Sequence, residues 1–309
     1  MPVKGRAERK LMTIEFRKPV IEDKAMVTGY IKQKKSRSCE DTFGNLLLWA
    51  RFYNVQIAEV EGFLVAAMNG ERLSFHYPYG TGDIKKCIER LEDYSESLGK
   101  EFQMHCVTPE EFEELEAIFP GKYEIVYDRD VADYVYEAEK LRNLSGKKYH
   151  GKKNHVNKFK KTYENWEYVS LNKDNIEEAF QLLLKWKDLN LCHEDHDKNA
   201  ESCVACNYLR LLEELEVVGG MLRVDGEAVA FTLGEQVCDD TMVVHIEKAL
   251  TAYEGAYAMI NQQFVEHECS HVIYVNREDD TGDEGLRKAK LSYRPVFMVE
   301  KGIVKRKTL

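Results

Sequence analysis

The chain has 309 residues, of which 44% are hydrophobic and 32% charged, and its formal net charge is −10. A chain of this length has room for two globular domains, and its longest uninterrupted apolar run, 63–68, is far too short to cross a membrane. We therefore expect no integral membrane segment, and the negative charge argues against a surface that binds nucleic acid throughout. Eight cysteines without a regular framework favour a reducing compartment, so we expect a cytoplasmic protein.

Residues 1–11 are basic and lack an apolar segment, so we expect a tail that precedes the folded part. The first predicted domain covers 12–130 and has the order β-α-α-β-β-β-α-β-α-β. Its strands are predicted at 13–18, 55–60, 63–68, 72–77, 102–106 and 123–127, and its helices at 19–33, 41–52, 83–98 and 109–118. Asn69-Gly70 is a strong signal for a hairpin between the third and fourth of these strands.

The same order returns in the second predicted domain, 166–309, after a basic helical connector at 131–165. Here the strands are predicted at 167–171, 217–224, 228–236, 241–248, 271–275 and 296–300, and the helices at 176–189, 201–215, 255–267 and 283–291. Asp225-Gly226 predicts a second hairpin turn. Two copies of one element order, about 154 residues apart, predict an internally duplicated α/β protein with mixed α+β sheets.

The connector is strongly basic: nine lysines and arginines and no acidic residue lie within 140–161. Such a concentration in an acidic protein predicts a local anion site, above all for phosphates. The residues singled out are Lys147, Lys148, His150, Lys152, Lys153 and Asn154. Because Tyr149 and Phe159 are interleaved with them, the segment suits stacking plus phosphate contact, as in recognition of a nucleotide or a tRNA end. A solvated basic helix between two domains remains the alternative.

Each copy also has a glycine-bearing loop before the helix that follows its fourth strand. Gly80 and Gly82 lie in the first loop and Gly255 in the second. Glycine lets the backbone approach a phosphate, whose charge a helix N-terminus favours. These loops are therefore candidate phosphate sites, with ordinary turns as the alternative.

The stretch 271–296 is the main candidate for chemistry, because it leads from an apolar strand into nine charged residues within 276–290. Polar groups at the carboxyl end of a strand are well placed to bind ligands. The candidates are Asn276, Asp280, Arg287 and Lys290. Lys290 lies at the edge of an apolar helix stripe, where a lysine is costly without a partner or a task. Turn residues, helix caps and pairs that stabilise a helix are the alternative interpretation.

Glu247 and Lys248 end a strand with the sequence HIEKA. A carboxylate buried beside a lysine is a candidate general base or orienting group, and a structural ion pair is the equal alternative. Cys192, His196, Cys203 and Cys206 resemble a metal set, but their spacing departs from standard zinc patterns, and we expect no metal. The chain has neither a Gly-x-Ser-x-Gly elbow nor a P-loop sequence, which argues against serine hydrolases and P-loop enzymes.

Three segments together carry a family resemblance: KKYHGKKNHVNKF, HIEKA and VNREDDTGDEGLRKAKLSYRP. In this order they resemble soluble bacterial proteins related to the C-terminal, catalytic domain of phosphatidylglycerol lysyltransferases. The resemblance covers nearly the whole chain from about Met12. It implies two tandem GNAT-like acyltransferase domains, a fold also found in the Fem peptidyltransferases, and it agrees with the duplicated element order.

The resemblance also implies a reaction. In the lipid-modifying members, aminoacyl-tRNA donates its aminoacyl group to a lipid hydroxyl. We therefore expect an acyl or aminoacyl transferase without a tightly bound cofactor, whose donor is aminoacyl-tRNA or acyl-CoA and whose acceptor is a small molecule or a lipid. The glycine loops lack the Gln/Arg-x-x-Gly-x-Gly/Ala pattern of coenzyme A sites, which weakens an acetyl-CoA donor. Two alternatives stay open: an acyl-CoA-dependent N-acyltransferase acting on a small amine, and a non-catalytic module that binds tRNA or another polyanion.

Under the leading interpretation, the lysines of the connector meet the phosphates of the donor or the end of a tRNA. The ester carbonyl would lie near Glu247, Asn276 and Lys290. Lys290 or Arg287 would stabilise the oxyanion, and Glu247 or Asp280 would orient or deprotonate the acceptor.

Overall fold

The computed structural model describes residues 13–70 and 72–307, and the predicted tail lies outside them. The first half contains six strands and four α-helices in the described residues. The helices are α1 (Lys24–Ile31), α2 (Phe43–Tyr53), α3 (Ile84–Ser97) and α4 (Pro109–Ile118). The strands are β1 (Val55–Val60), β2 (Phe63–Asn69), β3 (Leu73–Phe75), β4 (Tyr79–Gly80), β5 (Gln103–Val107) and β6 (Tyr123–Tyr127).

The remainder begins with β7 (Asp133–Glu137), α5 (Ala138–Asn143) and α6 (His150–Thr162), all within the predicted connector. The helices of the second half are α7 (Ile176–Leu189), α8 (His196–Arg210), α9 (Leu212–Leu215), α10 (Ala256–Glu268) and α11 (Glu284–Leu291). Its strands are β8 (Trp166–Ser170), β9 (Val218–Val224), β10 (Glu227–Cys238), β11 (Thr241–Ala249), β12 (Tyr274–Asn276), β13 (Phe297–Val299) and β14 (Gly302–Arg306).

The strands form two mixed sheets of the same design. The first sheet has the order β1-β2-β3-β5-β14-β6, with β4 beside β2, and the second has the order β8-β9-β10-β11-β12-β7-β13. Each sheet is antiparallel except for one parallel pair, β3 with β5 and β11 with β12. The equivalent positions of these pairs confirm the predicted duplication.

The two halves exchange one strand each. β7 follows β6 in the chain but pairs between β12 and β13 of the second sheet. β14 follows β13 but pairs between β5 and β6 of the first sheet. Dividing the chain at the predicted limits, 130 and 165, therefore does not separate the two sheets. β7 lies in the predicted connector but belongs to the second sheet, and β14 lies in the second predicted domain but belongs to the first sheet. No strand was predicted at either exchanged segment, because the pairing partners of both lie in the other half.

Local sequence accounts for several element ends. Asp225-Gly226 forms the predicted two-residue turn, with φ of 51° and 83°, between residues 224 and 227, which pair. Helix α4 matches its predicted limits, and Thr108 and Glu111 form a capping box at its start. The helix predicted at 201–215 instead begins at His196, because Asp195 accepts hydrogen bonds from two amides of its first turn.

Two other predicted elements of the first half are shorter than expected. The strand predicted at 13–18 is reduced to one bridge between Arg17 and Ile57, and the helix predicted at 19–33 consists of a 3₁₀ turn, Ile21–Asp23, followed by α1. A shared apolar core joins the halves: Phe43 and Leu46 of α2 belong to the same buried cluster as Tyr208 and Phe231. Within 13–70 and 72–307, no helix is long and apolar enough to cross a membrane.

Candidate functional site

The parallel strands β11 and β12 stop pairing well before β11 ends, and we call the region between them beyond this point the crevice. Their register runs from Thr241 opposite Tyr274 to Val243 opposite Asn276 and ends there. Beyond this point the Arg277 amide donates a hydrogen bond to the Tyr134 carbonyl of β7. Polar side chains that follow these strand ends can therefore meet a ligand between them.

Glu247 and Arg277 face each other across the crevice. Arg277 Nη2 donates to Glu247 Oε1 at 2.8 Å, and Asn261 Nδ2 of α10 donates to Glu247 Oε2 at 3.0 Å. Arg277 Nη1 and Asn261 Oδ1 are also buried, yet neither has a hydrogen-bond partner in the described part of the chain. A buried donor or acceptor without a partner costs about 1–3 kcal/mol, so these two atoms are candidate contacts for a ligand.

Tyr293 and Lys152 form one wall of the crevice. The guanidinium carbon of Arg277 lies 4.6 Å from the centre of the Tyr293 ring, and Lys152 Nζ lies 4.1 Å from the same ring. Burial, with a smaller contribution from the charge of Arg277, lowers the pKa of Lys152 to about 8. The basic helix α6 thus contributes one half-buried lysine directly to the crevice.

Helix α6 is anchored by Val156 and Phe159, which are buried. The other basic and polar candidates of the connector, Lys147, Lys148, His150, Lys153 and Asn154, are exposed. Gly255 explains how closely α6 approaches the start of α10: its φ is 89°, and a Cβ there would lie 2.5 Å from the His155 carbonyl oxygen. The packing of two helices therefore accounts for this glycine, and its phosphate contact stays a prediction.

Gly80 and Gly82 lie in the first half, where packing again accounts for glycine. A Cβ on Gly80 would lie 2.9 Å from the ring of Tyr30, and one on Gly82 would lie 2.9 Å from the ring of Phe63. The structure therefore does not bring these two glycines to the crevice between β11 and β12.

Lys290 is buried beside the crevice and holds its loop. Lys290 Nζ donates to the Arg277 carbonyl at 2.7 Å and to the Asp279 carbonyl, and the Lys290 carbonyl accepts from Tyr136 Oη at 2.8 Å. Burial lowers its pKa. The cost of a buried ammonium is thus offset by main-chain acceptors, and in this arrangement the ammonium fixes the backbone that carries Arg277.

Asp280 and Arg287 form a second fixed pair. Both Asp280 oxygens are engaged, by Arg287 Nε at 2.9 Å and Nη2 at 2.7 Å, by the Gly282 amide at 3.0 Å and by the Tyr134 hydroxyl. The hydrogen bonds from Arg287 hold the pKa of Asp280 far below its usual range. A carboxylate bonded in this way is a poor proton acceptor, so the geometry favours a structural role.

Asn276 contacts the junction between the halves. Its Nδ2 donates to Asp133 Oδ2 at 2.8 Å and to the Arg37 carbonyl at 2.7 Å, and its Oδ1 accepts from the Glu278 amide at 2.7 Å. The structure therefore brings Glu247 and Lys152 together at the crevice, places Lys290 behind it, and gives Asn276 partners at the junction.

The sequence-based interpretation missed a buried ionic cluster at this junction. Lys301 Nζ lies 2.7 Å from both oxygens of Glu40 and 2.7 Å from Asp133 Oδ1. Cys39, Glu40 and Asp133 are the one set of three potential metal ligands that converges in the described residues, and the Lys301 ammonium already contacts both of its carboxylates. In the sequence, only the charge of Lys301, directly before the last strand, could have indicated this cluster.

The cysteines and histidine of the suspected metal set do not converge in the described chain. Cys192 is buried, whereas His196 is exposed beside Asp197. Arg277 and Asn261 were also missed: Arg277 is one of nine charged residues in its segment, and Asn261 lies in a helix with no distinguishing motif.

Comparison with known proteins agrees with the fold. A sequence model of the family described as phosphatidylglycerol lysyltransferase, C-terminal, matches residues 31–304. A structurally solved protein of unknown function from Bacteroides thetaiotaomicron is 38% identical, with a TM-score of 0.91 over 96% of this chain and 100% of that chain.

Two more distant structures share the fold. The C-terminal domain of a putative lysylphosphatidylglycerol synthetase from Agrobacterium fabrum is 11% identical, with a TM-score of 0.65 over 93% of this chain and 92% of that chain. The L-PGS of Bacillus licheniformis is 14% identical, with a TM-score of 0.63 over 91% of each chain. An uncharacterized protein of Mycoplasmoides gallisepticum is 25% identical over 191 residues, so the chain spans about 60% of the length of this curated relative and matches it over 60% of its own.

The predicted class of mixed α+β sheets with an internal duplication is confirmed by the topology, and the two more distant structures share this fold. The family model covers most of the chain. The chain therefore belongs to the family of the phosphatidylglycerol lysyltransferase C-terminal domain.

Proposed function

We propose that the protein transfers an aminoacyl group from aminoacyl-tRNA to an acceptor that carries a hydroxyl or amino group. The observation that carries the proposal is the set Glu247, Arg277 and Asn261 in the crevice, with its two buried atoms that lack partners. Family membership supports the same class of reaction.

The crevice offers complementary groups to an aminoacyl ester. Such an ester carries a cationic α-amino group beside a carbonyl, and Glu247 and the free Asn261 Oδ1 are acceptors for that ammonium. Arg277 Nη1 is a free donor for the carbonyl oxygen, which gains negative charge when the acceptor attacks. In this proposal Arg277 has the role that the sequence suggested for Lys290 or Arg287.

The basic helix α6 supports a nucleic-acid donor. Its exposed lysines suit the phosphates near a tRNA end, and Lys152 links this surface to the crevice through the Tyr293 ring. The acceptor oxygen or nitrogen attacks the ester carbon, the bond to the ribose oxygen breaks, and the proton of the acceptor passes to that ribose oxygen. The identity of the acceptor, a small molecule or a lipid, is a separate question for experiment.

A titration with charged and uncharged bulk tRNA tests the donor. We expect wild-type protein to bind charged tRNA more tightly, and E247Q to lose about 10-fold or more of that affinity, because a charge-assisted hydrogen bond contributes about 1.5–3 kcal/mol. Binding of uncharged tRNA should be the same for both proteins. E227Q, which changes an exposed glutamate of β10, is the matched control.

Parallel thermal-shift measurements with acetyl-CoA and longer acyl-CoAs examine the alternatives. Stabilisation by a thioester without any effect of tRNA would contradict the proposed donor and favour an acyl-CoA-dependent transferase. Equal, strongly salt-dependent binding of charged and uncharged tRNA, with no release of amino acid, would favour a polyanion-binding module.

A further inference from the structure

Strand β11 carries a bulge at His245. Leu233 of β10 pairs with Ile246 and Gly234 pairs with Val244, so His245 is the additional residue. A bulge redirects the side chain of the residue that it leaves unpaired. The His245 ring is buried and stacks on Tyr208 of α8, with ring centres 4.9 Å apart and an angle of 16° between the planes.

Two carboxylates flank this imidazole. His245 Nδ1 lies 2.8 Å from Glu278 Oε1, and Nε2 lies 3.4 Å from Glu235 Oε2. Burial alone would lower the pKa of His245, but the interactions with Glu235 and Glu278 outweigh it and raise the pKa to about 9. His245 is therefore a cation at neutral pH and lies between two carboxylates.

Glu278 is held in an unusual backbone conformation next to Arg277. Its φ is 56°, in the left-handed region that glutamate rarely adopts, and its amide is fixed by Asn276 Oδ1 at 2.7 Å. Asn45 Nδ2 of α2 donates to Glu278 Oε1 at 3.1 Å, and Tyr208 Oη in turn donates to Asn45 Oδ1 at 2.9 Å. Both halves of the molecule thus hold this one carboxylate.

The carboxylates of Glu247, Glu278 and Asp280 differ in which oxygens have hydrogen-bond partners. Glu247 and Asp280 each accept hydrogen bonds at both oxygens. Glu278 uses only Oε1 among the described contacts, and its side chain is 26% exposed. We propose that Glu278 is the catalytic residue that takes the proton from the acceptor, and that His245 and Asn45 are its positioning residues; this inference rests on the proposed aminoacyl transfer.

The proton balance needs no further reactant. As the acceptor oxygen or nitrogen forms its bond to the ester carbon, its proton moves to Glu278 Oε2. As the bond between the ester carbon and the ribose oxygen breaks, the proton moves from Glu278 to that ribose oxygen. The glutamate is ionised again at the end, as it was at the start.

Several titratable groups face this pair from the surrounding elements. They are Glu235 of β10, Tyr208 of α8, Lys290 of α11, Cys39, and Asp279 in the loop after β12. Burial raises the pKa of Asp279 to about 7, so this neighbour also titrates near neutral pH. Variants are therefore needed to assign a pH profile to one residue.

The test uses the full chain and measures the single-turnover release of amino acid from bulk charged tRNA, with water and glycerol as acceptor probes. We expect E278Q to lower the rate at least 100-fold, because a general base contributes about 10²–10⁴-fold. Affinity for charged tRNA should stay within about twofold, since the crevice ion pair is intact. E278D should recover part of the rate, and E284Q, an exposed glutamate of α11, is the matched control.

The pH profile tests the positioning role of His245. The wild-type rate should fall as pH rises through about 9, where the imidazolium is lost, after subtraction of non-enzymatic ester hydrolysis. E235Q removes one of the interactions that raise the pKa of His245, so its alkaline limb should move to lower pH. H245Q should be slow throughout and lack this limb. A histidine with a merely structural role would leave the position of the limb unchanged in E235Q.

The outcomes separate this inference from the proposed function. If wild-type protein binds charged tRNA and E278Q still turns over within fivefold of it, the role of Glu278 is wrong and the donor assignment stands. If D279N loses turnover while E278Q keeps it, the neighbouring aspartate is the base and the inference is overturned. If wild-type protein neither binds nor deacylates charged tRNA, the proposed function fails and the inference fails with it.

Discussion

Lys301 has no exposed surface, and neither does Asp133, one of the two carboxylates that its ammonium contacts. Burial alone would raise the pKa of Glu40, but the Lys301 ammonium outweighs this effect and holds that pKa at about 2. Burial likewise opposes the charge of Lys301, yet the carboxylates and thiols around it keep its pKa well above the usual value. Burial raises the pKa of Asp133, although the same ammonium opposes this effect. The pair of Lys301 and Glu40 is therefore charged at neutral pH.

We expect K301M to lower the free energy of unfolding by about 3–5 kcal/mol, because it leaves the buried carboxylate of Asp133 and the half-buried carboxylate of Glu40 without their cation. Urea denaturation at pH 7 measures this loss, and K305M, which changes an exposed lysine of the same strand, should have little effect. The depressed pKa of Glu40 stabilises the fold above the unfolded-state pKa, about 4.3, and this contribution is lost as pH falls toward 2. A change below 1 kcal/mol in K301M would show that the cluster carries no net stabilisation.

At the scale of elements, the contact between α6 and α10 decides where the basic surface lies relative to the crevice. Gly255 has a φ of 89° and no room for a Cβ, whereas Gly226 has a φ of 83° and no atom within 4 Å of a Cβ. A residue with a Cβ would strain the backbone at both positions, but it would collide with a neighbouring atom only at Gly255.

We therefore expect G255A to destabilise the protein by about 1–3 kcal/mol more than G226A, since it must also move α6. The displaced helix should weaken binding of charged tRNA in G255A only. Thermal denaturation and the tRNA titration measure the two effects. Equal losses in both variants would mean that α6 adjusts without cost.

At the scale of the whole molecule, the exchanged strands join the two sheets. β14 is an interior strand of the first sheet and β7 is an interior strand of the second, so neither sheet is complete without a segment that belongs by sequence to the other half. The shared apolar cluster of α2, α7 and α8 adds to this coupling.

We expect one cooperative unfolding transition. In urea, amides of β2 and β10 should lose protection against hydrogen exchange at the same denaturant concentration, although they lie in different sheets. Mass spectrometry of peptides from the two strands measures this directly. Loss of protection in β2 well before β10 would show that the halves unfold independently despite the exchange.

Much of the fold follows from local sequence. Asp225-Gly226 specified its turn, the Thr108 capping box began its helix, and the repeated element order predicted the duplication. The crevice was predicted only in part. The segment 276–290 and Glu247 were recognised as part of the site. The sequence did not show which of the nine charged residues in that segment contact a ligand, so Lys290 and Arg287 were chosen instead of Arg277.

By itself, the sequence determined most of the secondary-structure elements, their duplicated order and the basic helix, because these depend on the periodicity of neighbouring residues and on turn and cap chemistry. Only the tertiary structure decided which strands pair across the halves and which polar atoms lack a hydrogen-bond partner. Strand pairing and the burial of charge depend on residues far apart in the chain: Lys301 meets Glu40, Asn45 meets Glu278, and Lys152 meets the ring beside Arg277.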